Sequence, residues 1–139
     1  MLVSIMMVTY NRLDLTEKTL NSLLETTDVD FELIIVDNGS TDGTQEYLDN
    51  FCNNTDFNIG SPHLKSSKIL LNKENLGIAK ARNQALKAAS GDWLCTLDND
   101  VILPNGWLSQ SIDILNKNKN FASIGVNFEK ETFPLQILK

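Results

Sequence analysis

Apolar residues along this chain fall in short runs that alternate with stretches of helical spacing. Leu2-Val3-Ser4-Ile5-Met6-Met7-Val8 is short, apolar and partly β-branched, as expected of a strand buried on both faces. Thr9-Tyr10-Asn11-Arg12 ends it. Asn11 is placed as an N-cap, with Asp14 three residues on and Leu13, Leu20, Leu23 and Leu24 at helical spacing, which predicts a helix from about Arg12 to Glu25. Phe31 to Val36 is a second buried strand. It runs into Asp37-Asn38-Gly39-Ser40-Thr41-Asp42-Gly43, whose density of Gly, Asn and Asp predicts a special turn. Thr41 or Asp42 can cap the next helix, with a stripe of Thr44, Tyr47, Leu48 and Phe51. Residues 49–67 read as a long polar loop in which His63, the only histidine, is a solvated bystander.

The second half repeats the alternation. Lys68 to Asn72 is a third strand, and Asn75-Leu76-Gly77 opens a helix through Ile78, Ala81, Ala85 and Ala89, with Gly91 as its C′ residue. Arg82 falls on the apolar stripe of that helix, where a guanidinium needs an anionic partner. A salt bridge to a loop Asp and a role at a ligand are compatible if that Asp is itself in the site. Trp93 to Leu97 is a fourth strand, leading into Asp98-Asn99-Asp100. A helix from about Pro104 follows through Leu108, Ile112 and Leu115. Ala122 to Val126 is expected to form one more strand. Phe133 to Leu138 has no clear period, and no internal repeat is visible.

Strands that alternate with helices argue for an α/β fold: a doubly wound, mostly parallel sheet with helices on both faces. Ligands of such sheets bind beyond the carboxyl ends of the strands, where the strand order reverses. Thr9-Tyr10-Asn11, Asp37-Asn38-Gly39 and Asp98-Asn99-Asp100 all follow strand ends. They are therefore expected in one crevice, with Arg82 in reach of it.

Composition narrows the ligand. The 139 residues are 42% hydrophobic and 22% charged, enough for one globular domain. A net charge of -6 and a pI near 4.6 argue against a nucleic-acid or anionic-membrane surface. An anionic small ligand would need local positive charge from a metal or an Arg. Cys52 and Cys95 lack metal-site spacing, so reduced thiols and no zinc are expected. No signal peptide or membrane-spanning segment is visible.

Two aspartates flanking one residue at a strand end are a candidate for a divalent metal with oxygen ligands; the plainer alternative is a solvated turn. Tyr10 offers a flat face for a base, Asp37 an acceptor for a base or ribose, and Arg82 a fixed charge for a diphosphate. The chain has no GxxxxGK[ST] and no GxGxxG after its first strand, so P-loop and dinucleotide-binding sites are not expected.

Val8 to Arg12, Val36 to Thr44, Asn75-x-Gly77 with Ala81-Arg82-Asn83, and Leu97 to Asp100 together resemble the family 2 glycosyltransferases of GT-A fold. The resemblance covers the chain from about residue 2 to the strand near Val126. It implies a nucleotide-sugar donor of UDP or GDP type, Mn2+ or Mg2+, and sugar transfer, inverting, to an acceptor hydroxyl on a glycan, lipid or polysaccharide. By position, Tyr10 would stack on the base and Thr9 line its pocket, with Asn11 beside them. Asp37 would accept from the base, with Arg82 near it. Asp98 and Asn99 would face the donor, Asp98 touching the ribose or reaching the metal through water, and Asp100 would ligate the metal.

Family members usually continue well past the Asp-x-Asp, and that part supplies the acceptor site and an acidic general base. Here 39 residues follow Asp100, and nothing around Glu129 or Glu131 resembles the base motif. The expectation is a partial, donor-binding GT-A domain over residues 1–127, with 128–139 a tail or the start of an acceptor half, and a catalytic base outside this chain. Exposed apolar surface around Phe128 to Leu138 would invite a homodimer. A cytoplasmic location, with indirect contact to the inner face of the membrane, fits. Two alternatives compete: a non-catalytic nucleotide-binding or interaction module of the same fold, and a Mg-dependent phosphatase of haloacid-dehalogenase type, in which Asp98 would be the nucleophile.

Overall fold

The computed structural model of the protein describes residues 1–53 and 61–125. Within them the chain forms β1 (Val3–Thr9), α1 (Leu13–Thr26), β2 (Phe31–Asp37), α2 (Thr44–Asn53), β3 (Leu64–Leu71), α3 (Ile78–Ala88), β4 (Trp93–Leu97) and α4 (Trp107–Lys117). The four strands make one sheet in the order β3-β2-β1-β4, and every pairing is parallel. This is the α/β sheet expected from the alternation. The connection from β3 through α3 to β4 crosses from one edge of the sheet to the other, so the order reverses between β1 and β4.

Side-chain alternation sorts the strands onto two faces. Val3, Ile5, Met7, Phe31, Leu33, Ile35 and Leu97 pack with Leu20, Leu23 and Leu24 of α1, Leu48 and Phe51 of α2, and Trp107, Leu108 and Ile112 of α4. Met6, Ile34 and Val36 point the other way, onto Ala81 and Ala85 of α3. The small alanines let α3 lie close to the sheet.

Several boundaries differ from the sequence reading. β3 begins at Leu64, not Lys68, which shortens the expected loop. As an edge strand it tolerates Lys65, Ser66 and Lys68 on exposed positions, so it lacks the unbroken apolar run by which a central strand is found. Residues 122–124 form no strand and Gly125 makes one isolated bridge; Val126 and the tail around Phe128 to Leu138 lie outside the described residues. The buried face of α3 is narrower than its apolar spacing suggests, because Ile78 is 54% exposed. Arg82 is exposed with it and is not on the buried face. The cap of α3 is Ala89 in extended conformation, so Gly91 is not a C′ residue. It is needed for close approach instead: a Cβ there would meet Leu2 O and Ser4 N at 2.7 Å.

One buried charge was not anticipated. Glu32 lies inside β2 on the α3 face, 2% exposed. Its carboxylate accepts from Ser4 Oγ at 2.6 Å, Ser90 N at 2.5 Å, Ser90 Oγ at 2.9 Å and Lys68 Nζ at 3.4 Å. Gly91 N in turn donates to Ser4 Oγ at 2.8 Å. The cluster pins the entry of β4 to the sheet. Burial works to raise the Glu32 pKa, but the donors from Ser4, Ser90 and Lys68 outweigh it and hold the carboxyl at about 2, against 4.5 for a free glutamate. A group whose folded pKa is depressed contributes its full stabilisation above the unfolded value and loses it as the pH falls toward the folded one. Glu32→Gln is therefore expected to destabilise the fold at neutral pH by about 1.5–3 kcal/mol, the scale of hydrogen bonds to a charged group. Its difference from the parent should shrink between pH 4.5 and pH 2. Urea unfolding across a pH series checks both.

Candidate functional site

The carboxyl ends of β1, β2 and β4 form the crevice. Thr9 and Asp37 are register partners at the last rung of β1 and β2. Met7 pairs with Leu97, so Asp98 emerges beside the turn that follows Thr9. The three segments expected to converge do converge.

After β1 the chain takes two left-handed residues in succession, Asn11 at φ 52° and Arg12 at φ 75°. A left-handed residue costs about 1–2 kcal/mol unless it is glycine or, to a lesser degree, Asn or Asp. Arg is neither, so the turn is held from outside. Asn11 N donates to Ser40 Oγ at 2.7 Å, and Thr41 N donates to Asn11 Oδ1 at 2.9 Å. Asn11 is thus not the N-cap of α1: that position is Arg12, whose side chain makes no cap hydrogen bond. The cap comes from another loop. Asp42 Oδ2 accepts from Leu13 N at 3.0 Å, while Asp42 Oδ1 accepts from Thr44 N and Oγ1 at 3.1 and 2.6 Å. One carboxylate serves the starts of both α1 and α2. Burial would raise its pKa, but these donors from Thr44 and Leu13 keep it below the usual range.

The Asp37 carboxylate is fully buried. Its Oδ1 accepts from Gly39 N at 3.1 Å, Ser40 N at 2.9 Å and Gln45 Nε2 at 2.6 Å. Its Oδ2 is buried with no hydrogen-bond partner among the described residues. Buried polar atoms are seldom left this way, so Asp37 keeps one acceptor in reserve. Around it lies a web of carboxamides that sequence reasoning did not assemble. Asn72 Nδ2 donates to Asn38 Oδ1 at 3.1 Å and to Gln84 Oε1 at 2.9 Å, and Asn38 Nδ2 donates to Asn75 Oδ1 at 2.8 Å. Gln45 Nε2 also reaches Asn72 O at 3.1 Å. The web draws the loop before α3 across the end of β2. Gly39 permits that crossing, because a Cβ there would sit 2.6 Å from the Glu74 carbonyl carbon.

Among the described residues the segment after β4 has no strand beside it on its far side, and its polar groups turn to α1. Asn99 Nδ2 donates to both Thr9 Oγ1 and Thr16 Oγ1 at 3.1 Å, Val101 N to Thr19 Oγ1 at 3.1 Å, and Leu103 N to Ser22 Oγ at 3.3 Å. Thr16, Thr19 and Ser22 recur every three residues on the buried side of α1. This hydroxyl ladder holds the Asp-x-Asp turn. Thr9 and Asn99 consequently point inward and brace the crevice.

Asp98 and Asp100 point outward, with side chains 71% and 42% exposed. Burial therefore does not force a cation on them, and each meets an arginine. Arg82 Nη2 lies 3.4 Å from Asp98 Oδ1, and Arg12 Nη1 lies 2.9 Å from Asp100 Oδ2. Tyr10, in the turn that follows β1, is 47% exposed. Arg82 was expected at the crevice and reaches it through Asp98; Arg12 was not singled out, because nothing in its local sequence marks a left-handed turn. His63 sits at the opposite end of the sheet, its Nδ1 3.2 Å from Asp30 Oδ1. A cavity of about 470 Å³ opens between β4 and α4, lined by Trp93, Cys95, Leu97, Leu108 and Ile112 and reaching Asp98. Thr96, Ser111 and Ser123 add hydroxyls to this mostly apolar lining, and burial pushes the Cys95 thiol up to about 12.

Two carboxylates on one turn suit Mg2+ or Mn2+, which take one or two protein carboxylates and complete their shell with phosphate oxygens and water. Among the described residues no group of three or more acidic, His or Cys side chains is placed to hold a metal ion, so phosphate oxygens and water would supply the remaining ligands.

Residues 4–136 match glycosyl transferase family 2. The chain is 34% identical over 128 residues to WfgD of Escherichia coli, a UDP-Glc:alpha-D-GlcNAc-diphosphoundecaprenol beta-1,3-glucosyltransferase, covering 92% of this chain and 46% of that protein. The mannosyltransferase PcManGT from Pyrobaculum calidifontis, solved with GDP-Man and Mn2+, is similar with a TM-score of 0.71 and 26% identity, over 89% of this chain and 34% of that one. S. aureus TarS 1-349 with UDP-GlcNAc gives a TM-score of 0.69 and 26% identity, over 86% and 32%. The fold is therefore of GT-A type. The chain spans less than half the length of the curated relatives it matches.

Two expectations about the frame follow. Thr19→Val keeps the shape but leaves Val101 N without its acceptor, at a cost of about 1–3 kcal/mol. Asp42→Ala removes a shared cap and should cost about 1–2 kcal/mol for each helix start it serves. Chemical unfolding of both variants measures these losses.

Proposed function

The chain belongs to glycosyl transferase family 2, and on that premise we propose that it carries the donor site of a sugar transfer to an acceptor hydroxyl. The donor is a nucleoside-diphosphate sugar of UDP or GDP type. The observation that carries this reading is the meeting of Tyr10, Asp37 and the Asp98–Asp100 turn at the switch point of the sheet, with an arginine on each outward carboxylate. Tyr10 supplies an exposed aromatic face for the base. Asp37 offers its unused Oδ2 to an N–H of the base, while Oδ1 is locked by Gly39, Ser40 and Gln45. A donor without a matching N–H would leave that oxygen unpaired, and a site built this way discriminates strongly.

Asp98 and Asp100 would hold Mn2+ or Mg2+ against the diphosphate. When bound, the metal supplies charge neutralisation of the leaving nucleoside diphosphate. Thr9 and Asn99 brace the turn that presents these carboxylates. The complexes of PcManGT with GDP-Man and Mn2+ and of TarS with UDP-GlcNAc support a donor of this class. The acceptor is a glycan or lipid-linked hydroxyl, as the diphosphoundecaprenol substrate of WfgD suggests. No helix among the described residues is long and apolar enough to cross a membrane. Inverting transfer needs a general base within hydrogen-bond reach of that hydroxyl, and we place it outside the described residues.

Calorimetric titration with UDP and GDP, with and without Mn2+, tests the reading. Binding of one nucleotide should depend on the metal and weaken at least about tenfold in Asp100→Ala, the loss of one charged ligand. Metal-independent binding, or binding unchanged by that substitution, would overturn it.

A further inference from the structure

Arg12 stands out on three counts. It is a non-glycine residue at φ 75°, directly after another left-handed residue. It occupies the N-cap of α1, where the helix dipole disfavours a cation and where small polar residues are preferred. And its guanidinium sits 2.9 Å from Asp100 Oδ2. Nothing in the packing of α1 calls for an arginine here: its side chain is 56% exposed. The conformation is enforced from both sides, by Asn11 N on Ser40 Oγ before it and Leu13 N on Asp42 Oδ2 after it. Local strain that the surroundings hold in place points toward a function.

We propose that Arg12 binds the donor's phosphates and, with no donor present, occupies the metal-binding carboxylate of Asp100. The inference rests on the donor-site reading given above and adds a residue and an order of events to it. A guanidinium and a divalent cation compete for one carboxylate, so metal alone binds against the charge of Arg12. A diphosphate removes the conflict, because it accepts both the metal and the forked guanidinium donors. The ion pair is exposed, and exposed pairs are weak, so it is readily exchanged. Arg12 thereby couples metal to nucleotide: each binds better with the other than alone. The helix start adds to the pull, since the N-terminus of α1 also favours an anion at this corner.

The test uses Mn2+ as a free-ion probe followed by electron paramagnetic resonance, with UDP, GDP and the uncharged nucleosides uridine and guanosine as ligands. In Arg12→Gln, Mn2+ without nucleotide should bind about threefold tighter or more, the scale of losing one exposed ion pair. The nucleoside diphosphate with Mn2+ should bind about tenfold weaker, the scale of a charge-assisted contact, and nucleoside affinity should not change. Arg12→Gly should repeat all three results while keeping or raising the thermal midpoint, because glycine adopts φ 75° without strain. This second variant separates loss of the cation from loss of fold. Arg12→Lys should restore part of the nucleotide affinity.

Unchanged or weaker Mn2+ binding in both variants, or equal losses for nucleotide and nucleoside, would overturn the inference while leaving the donor site standing. Failure of the parent chain to bind Mn2+ and either nucleotide would instead overturn the donor-site reading, and this inference with it.

Discussion

A strand at the edge of a sheet leaves the chain that follows it without backbone partners, and buried donors in that chain must be met by something else. Here they are met by α1. Thr16, Thr19 and Ser22 accept from Asn99, Val101 and Leu103, and this ladder sets where Asp98 and Asp100 stand. The same helix packs Leu20, Leu23 and Leu24 into the main core. α1 therefore has a mixed buried face, apolar toward the sheet and hydroxylic toward the Asp-x-Asp turn. The position of the carboxylates is referred through α1 to the rigid body of the fold.

The rest of the site is tied to that reference by side chains that work across loops. Asp42 starts α1 and α2 together. Asn11 joins the turn after β1 to the loop after β2. The carboxamides of Asn38, Asn72, Asn75 and Gln84 bring the loop before α3 over the same end of the sheet. Each loop is thus fixed by a neighbouring loop. The result is a crevice whose acceptors and cations are placed before any ligand arrives, which lowers the ordering cost of binding. In an acidic chain of net charge -6, Arg12 and Arg82 place two cations at this one corner, each paired with a carboxylate of the Asp-x-Asp turn.

Much of this was legible in the sequence, for definite reasons. Strands buried on both faces read as unbroken apolar runs, so β1, β2 and β4 were found in place, and their alternation with helices determined a parallel sheet. A parallel sheet gathers the residues after its strand ends, so the meeting of Thr9, Tyr10, Asn11, Asp37, Asp98 and Asp100 followed from local pattern alone. The edge strand β3 was found short because exposed lysine and serine interrupt its run. Arg82 was assigned to the wrong face because α3 presents only Ala81 and Ala85 to the sheet, and spacing alone cannot tell a narrow buried stripe from a wide one.

What only the tertiary structure decided was partnership. Asn11 looked like a cap and is a tie between loops; Asp42, 29 residues from Leu13, is the cap. Gly91 looked like a helix end and is a point of contact with β1. Glu32, unmarked within the run Phe31 to Val36, anchors β4 through Ser4 and Ser90. Asn99 and Thr9, both expected at the ligand, are also joined by a hydrogen bond to each other. Periodicity reports which way a residue faces relative to its own element. Hydrogen bonds and ion pairs between elements depend on distances that packing alone sets, and for that reason the place of the site was written in the sequence while the pairing of its charges was not.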